Sequence, residues 1–301
     1  MDSVYQILII GGGPAGYSAA LYGARAGLSV LVLEKLCAGG QMLLTDTVEN
    51  YPGIASIAGY SLADAMRSAA EAAGARTLYA QATELQLLPR RKAAVTSAGT
   101  FLGETVILAT GAEPKRLDLP GESRLVGRGL HYCAHCDGNF YRGKPVAVVG
   151  GGNTALESAL YLSGLCSRVY LIHRRDAFRG SPGDVERLRG KPNVEFCLNA
   201  GIQSLSYTDR LTGLTLSTGK TLSCDGLFVA VGTAPASGLA RGQLILDEEG
   251  YIMADESTRT NLPGVFAAGD VRRKPLRQII TAAADGAVAA AGAQQYLSEL
   301  S

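Results

Sequence analysis

Cys133 and Cys136 stand in the run Cys133-Ala134-His135-Cys136-Asp137, a spacing at which two sulfurs can cycle between dithiol and disulfide. Exchange needs one sulfur as thiolate; a protonated His135 favours that form. Asp137 follows directly, where a carboxyl can give and take the protons that the sulfurs exchange. The same residues also make half of a zinc site, with His131 close by in sequence. Structural zinc usually draws ligands from two separated knuckles, however, and the chain has no second CxxC and no paired histidines, so no metal is expected. A pair of plain structural thiols, with Asp137 capping a turn at Gly138, is the remaining reading. Cys37, Cys166, Cys197 and Cys224 are scattered and read as small hydrophobic residues.

A glycine-rich loop lies on either side of this pair. In the first, Gly11 permits a tight turn, Gly13 lets backbone approach a pyrophosphate, and Gly16 allows close helix–strand packing. The helix that follows turns free N–H groups and a positive dipole end toward the anion. Glu34 lies 21 residues beyond Gly13, where a carboxylate accepts hydrogen bonds from ribose hydroxyls. The second loop repeats the pattern with Gly150, Gly152 and Ala155, opening a helix at Asn153 and Thr154. Here the position 21 residues beyond Gly152 is His173, followed by Arg174 and Arg175, with Arg179 adding a further cation. Guanidinium groups in place of the acid bind a 2′-phosphate, so NADPH is expected over NADH. A solvated basic turn without a ligand is the plainer alternative. The order of the three motifs suggests electrons passing from one nucleotide through another to a disulfide.

The elements that must position these residues are legible as buried strands, glycine turns and helices. Val4 to Ile10 is a short apolar run, Pro14 to Ala26 has helical composition, and Leu28 to Leu33 is a second strand. The grammar returns at Val146 to Val149, Asn153 to Ser163 and Val169 to Ile172, with the two loops 139 residues apart. A second echo, at an offset of 121, relates the block Ile107 to Pro114 to Phe228 to Pro235. These repeats predict an α/β fold of two Rossmann-like, three-layer dinucleotide-binding domains. Val265 to Asp270 reads as one more buried strand with a functional end, in a tail too short for a third domain. The tail therefore returns to the first domain, and the second is an insertion: 1–114 and 242–301 form one domain, 115–241 the other.

Composition narrows the classes. The chain has 301 residues, 47% hydrophobic and 18% charged, as in a globular protein with a filled core. A formal net charge of +1 and the lack of a basic stripe argue against nucleic acid. Ser3 to Ala24 is uncharged and long enough to cross a bilayer, but Gly11-Gly12-Gly13-Pro14 sits at its centre and Asp2 precedes it. No membrane span is expected, and the cytoplasm is the expected location.

With these residues in place, the chain resembles the low-molecular-weight thioredoxin reductases over nearly its whole length. The resemblance is carried by the two glycine loops, Gly39-Gly40-Gln41, Val48 to Gly53, Cys133 to Asp137, His173 to Arg179, and Gly264 to Asp270 with Arg277-Gln278. It implies FAD in the first domain, held by Gly11, Gly13, Gly16, Glu34, Gln41, Asn50, Asp270, Arg277 and Gln278. It implies NADPH in the inserted domain, held by Gly150, Gly152, Asn153, Thr154, His173, Arg174, Arg175 and Arg179. It further implies a homodimer and a thioredoxin-like protein as disulfide substrate. Cys136 is then the sulfur nearer the flavin, Cys133 the one exchanged with the partner, and Asp137 the acid–base residue. Both the dithiol and the nicotinamide must reach one flavin from the same inserted domain, so the resemblance implies a domain rotation. The chain departs from the family pattern at His135, at Asn139, and in the helix-breaking run Arg179 to Gly183. Other acceptors, such as a different thioredoxin-like protein or a small disulfide, fit the same motifs, as does a nucleotide-binding redox sensor of low turnover.

Overall fold

The computed structural model describes residues 4–44, 47–89 and 91–300. The chain divides into two compact units. One holds the residues through Leu43, Tyr51–Glu113 and those from Ala234 onward; the other holds Leu44–Asn50 and Pro114–Thr233.

The first unit is built on a parallel sheet in the order Arg76–Tyr79, Val30–Glu34, Val4–Ile10, Gly99–Leu108, with Val265–Ala267 paired to the end of Gly99–Leu108. The start of Gly99–Leu108 pairs instead with an antiparallel meander, Lys92–Thr96 and Ala82–Leu87. The strand residues alternate between two cores. Ile7, Ile9, Val30, Val32 and Ile107 pack toward the helices Pro14–Arg25 and Ile279–Leu300. Leu8, Ile10, Leu31, Leu33 and Leu108 pack on the opposite face with Leu244 and Ile252. Burial on both faces explains why these strands read as unbroken apolar runs. The tail completes this sheet through Val265↔Val106 and Ala267↔Leu108. The expected border at 241/242 falls instead at 233/234, because Ala240 and Leu244 belong to the core around Leu8 and Val265.

The second unit has a five-stranded, all-parallel sheet in the order Leu130–His131, Gly226–Ala230, Pro145–Gly150, Arg168–Ile172, Val194–Cys197. An antiparallel sheet, Ile202–Tyr207, Leu211–Leu216 and Thr221–Ser223, accompanies it. Alternation again separates two cores, Ala147, Val149 and Val229 on one face and Val146, Val148 and Phe228 on the other. The sequence echo at offset 121 turns out to be the pair of connecting strands, Ala112–Pro114 and Thr233–Pro235, which form a two-stranded ribbon. Of the uncharged run at the N-terminus, Ser3 lies outside the described residues; the rest is strand, glycine loop and helix. No helix among the described residues is long and apolar enough to cross a membrane.

One buried ionic cluster fixes the returning tail. The Asp285 carboxylate accepts from Arg272 Nε at 2.9 Å and Nη2 at 3.1 Å, from Lys274 Nζ at 2.8 Å and from the Gly269 N–H at 2.9 Å. Burial opposes ionisation of Asp285, but these donors outweigh it and hold the carboxyl below its ordinary range. The stability it contributes is complete above the unfolded value, near pH ~4, and is lost as pH falls through the depressed folded value. Asp285→Ala strands the Arg272 guanidinium, buried with little solvent, and is expected to cost about 3–5 kcal/mol in urea unfolding. An unchanged midpoint would show that the cluster is dispensable.

Candidate active site

The dithiol sits in the connection between the edge strand Leu130–His131 and the strand Pro145–Gly150. Cys133 is the N-cap of the short helix Ala134–Asp137, and its sulfur accepts the Cys136 N–H at 3.2 Å. Cys133 and Cys136 form a disulfide, with Cα atoms 5.3 Å apart. Both are half-buried, while His135 between them is exposed and stacks on Tyr161 with ring centroids 4.4 Å apart. Gly138 follows at a point of close approach, where a Cβ would stand 2.9 Å from Leu162 and Tyr161. The helix Asn153–Ser163 thereby backs both the dithiol turn and the second glycine loop.

Asp137 is buried, and its Oδ2 lies 3.2 Å from Nδ1 of His131. The other ring nitrogen of His131, Nε2, lies 2.7 Å from the Tyr141 hydroxyl, and the ring stacks on Phe228. This chain of polar groups was not legible beforehand. His131 attracted notice only as a zinc ligand, and the one hint was a histidine in an apolar stretch two residues before Cys133. Among the described residues, no three His, Cys, Asp or Glu side chains gather in a metal-binding arrangement.

The two glycine loops have matching geometry. Gly11 takes φ +108°, and a Cβ there would meet Ala109 O at 2.4 Å; at Gly150 it would meet Ala230 O at 2.3 Å. At Gly16 a Cβ would sit 1.9 Å from Gly11 O, and at the matching position Ala155 is accommodated. Gly13 and Gly152, by contrast, have nothing within 4 Å of the Cβ position. Each is the N-cap of its helix, and neither helix has a side-chain cap. Uncapped N–H groups behind an open glycine suit a pyrophosphate at both loops.

In the first unit Glu34 is buried at its strand end, accepting from Gly12 N at 2.8 Å and Leu36 N at 3.0 Å. Gln41 donates to the Ala112 carbonyl. Asp270 and Arg277 each keep a buried side-chain atom, Oδ1 and Nε, without a partner, and burial pushes the Asp270 carboxyl upward. Arg277 lies over the Tyr251 ring, 4.0 Å from its centroid. Such orphaned polar atoms fit a polar ligand. Gln278 ends the loop just before the helix Ile279–Leu300. Asn50 is grouped with the second unit, next to Glu49, which accepts from Asn139 at 3.2 Å.

In the second unit the turn after Ile172 folds over the glycine loop. Arg179 N and Gly180 N donate to Gly151 O, and Ser181 N donates to Asn153 Oδ1 at 2.8 Å. Asn153 and Thr154 are exposed in the first helical turn. Arg174, Arg175 and Arg179 are exposed, and none has an ion-pair partner among the described residues. His173 does not join this basic cluster. Its ring is buried, fills the space beside Gly151 and stacks on Phe178. Burial, with the neighbouring arginines, pushes its basicity down. The helix-breaking run resolves simply: Pro182 occupies the first turn of the helix Pro182–Arg189, where a missing N–H costs nothing.

Comparison with known proteins places this geometry. The pyridine nucleotide-disulphide oxidoreductase family model matches residues 5–286. Proteins described as thioredoxin reductase from Treponema pallidum and Streptomyces clavuligerus are 42% and 45% identical, each over 100% of this chain and 99% and 96% of theirs. The crystal structure of thioredoxin reductase from Streptococcus pyogenes superposes with a TM-score of 0.91 at 38% identity, covering 99% of this chain and 100% of that one. Two open glycine loops, a CxxC disulfide beside a buried carboxyl and a full-length match together place the chain in the pyridine nucleotide-disulphide oxidoreductase family.

Proposed function

We propose that the chain is an NADPH-dependent flavoprotein disulfide reductase whose acceptor is the disulfide of a thioredoxin or thioredoxin-like protein. The observation that carries this reading is the half-buried Cys133–Cys136 disulfide next to buried Asp137, in the unit that also holds the second glycine loop and its free arginines. Gly11, Gly13, Gly16, Glu34, Gln41, Asp270, Arg277 and Gln278 hold FAD, with Asn50 as a further contact. Gly150, Gly152, Asn153, Thr154, Arg174, Arg175 and Arg179 hold NADPH, and His173 supports the loop. The segments 1–113 and 234–301 serve the flavin, and 114–233 the pyridine nucleotide. The resemblance extends the proposal to a homodimer.

When bound, FAD supplies the two-electron relay between the nicotinamide and the disulfide. The chain's own residues do the rest. Two electrons and one proton open the Cys133–Cys136 bond: Asp137 protonates Cys136 Sγ, and Cys133 is left as the thiolate. The Cys136 N–H steadies the Cys133 thiolate, which attacks the partner's disulfide, forming a mixed disulfide as the partner's S–S bond breaks. The Asp137 carboxylate then takes the proton back from Cys136, whose thiolate attacks Cys133 Sγ and restores the internal disulfide; the partner's two sulfurs leave as thiolates and take their protons from solvent, giving its dithiol.

Steady-state oxidation of NADPH with an oxidised thioredoxin tests this directly. Asp137→Asn is expected to lower kcat by about a hundredfold or more, with flavin content unchanged. Undiminished turnover would remove Asp137 from the proton chemistry. Nucleotide binding with negligible turnover in the unaltered protein would favour a redox sensor.

A further inference from the structure

Asp137 has a partner that the reaction above leaves unused. It is the buried imidazole of His131, held from both sides: Asp137 Oδ2 at 3.2 Å from Nδ1, and the Tyr141 hydroxyl at 2.7 Å from Nε2. His131 and Asp137 are each about 95% out of solvent, so neither exchanges protons freely with water. Phe228 stacks on the ring and closes the remaining face. The charged groups that act on this cluster are Arg210 and Asp225, beside Tyr141; both are exposed.

We propose that His131 is a positioning residue for the proton chemistry of the dithiol: it shares one proton with Asp137 and supplies the carboxyl that protonates the leaving sulfur. The inference rests on the disulfide-reductase reading. With the proton on the ring, the pair is an imidazolium beside a carboxylate. Transfer from Nδ1 to Oδ2 gives a neutral imidazole beside a carboxylic acid, with no change in total charge. The carboxylic acid then gives that proton to the departing thiolate, becoming a carboxylate as the thiol forms. The proton returns to the pair when Cys136 is deprotonated for its attack on Cys133 Sγ, which resets it. The proton count closes, and no further oxidant or reductant is needed.

Tyr141 suits this cycle because a hydroxyl can either accept from Nε2–H or donate to a bare Nε2. Burial pushes its own ionisation up to about 12, so the hydroxyl stays protonated throughout. It anchors the ring in both states without competing for the proton. Two groups this close share a proton, so proton delivery follows the pair rather than a lone carboxyl.

The test measures opening of the Cys133–Cys136 disulfide in the flavin-loaded protein as a function of pH. One arm uses NADPH as reductant under anaerobic stopped flow. A second, independent of the flavin, uses dithiothreitol with alkylation of the freed thiols, corrected for the reagent's own thiolate fraction. In the unaltered protein the rate should fall as pH rises, because the pair must hold a proton in order to deliver one. His131→Asn keeps an N–H donor for Asp137 but cannot carry a proton; it should lower the rate about tenfold or more near neutrality and flatten the profile. In an Asp137→Asn background the same change should have no further effect. A uniform loss with the profile's shape preserved would mean that His131 only supports the fold, and would overturn the proposal. So would an unchanged rate, or a flat profile in the unaltered protein, which needs no variant to fold. If the unaltered protein does not open its disulfide with NADPH at any pH, the disulfide-reductase reading itself fails.

Discussion

Cys133→Ser, with Cys136 kept, is expected to cut turnover with a thioredoxin at least about a thousandfold while NADPH still bleaches the flavin. The serine cannot supply a thiolate, and nothing else in the chain replaces it. Burial pushes the Cys166 thiol up to about 11 and the Cys224 thiol up to about 12, so both stay protonated and inert. Cys197 is raised as well, and Cys37 lies in the other unit. A helix N-cap position and the Cys136 N–H support the proposed role of Cys133 as the exchanging sulfur. Stopped-flow absorbance separates the two half-reactions. Thioredoxin reoxidising the flavin at the normal rate in Cys133→Ser would refute the assignment.

The second large effect concerns nucleotide choice. Replacing Arg174, Arg175 and Arg179 together with Ala is expected to raise KM for NADPH about a hundredfold and to leave KM for NADH almost unchanged. A charge-assisted hydrogen bond to phosphate contributes roughly 1.5–3 kcal/mol, and the exposure of these side chains lowers that toward ~1 kcal/mol each. Three such contacts come to about 3 kcal/mol, and each 1.4 kcal/mol is about tenfold. The preference should also weaken as ionic strength rises, since exposed charges are screened. Equal losses for both nucleotides would place the arginines away from the 2′-phosphate.

How far the sequence could be read depended on whether an element was defined locally. The strand at Val4–Ile10 and the helix Asn153–Ser163 fall where they were expected, because apolar runs bounded by glycine turns record burial on both faces. The helix at Pro182–Arg189 was obscured by its own breakers; Pro182 marks a start, not an interruption. The domain border near 241 was misplaced because Ala240 and Leu244 look like any small and apolar pair until Leu8 and Val265 are known to receive them.

The site shows the same division. The glycines, the cysteines and the arginines stand in contiguous motifs whose spacing carries the chemistry. His173 occupies the expected position but points inward, and only the packing against Gly151 and Phe178 tells that its basicity is lowered. The pairs His131–Asp137 and Arg272–Asp285 are six and thirteen residues apart, joined through a turn and a loop that no periodicity announces. They needed coordinates.

The central claim is a single path for electrons from NADPH to the Cys133–Cys136 disulfide and on to a partner protein. Anaerobic stopped-flow absorbance follows it most directly, with the purified flavoprotein mixed first with NADPH or NADH and then with oxidised thioredoxin. The expected result is fast flavin bleaching by NADPH, much slower bleaching by NADH, and recovery of the oxidised spectrum when thioredoxin is added. Bleaching that no thioredoxin or thioredoxin-like disulfide reverses would contradict the account.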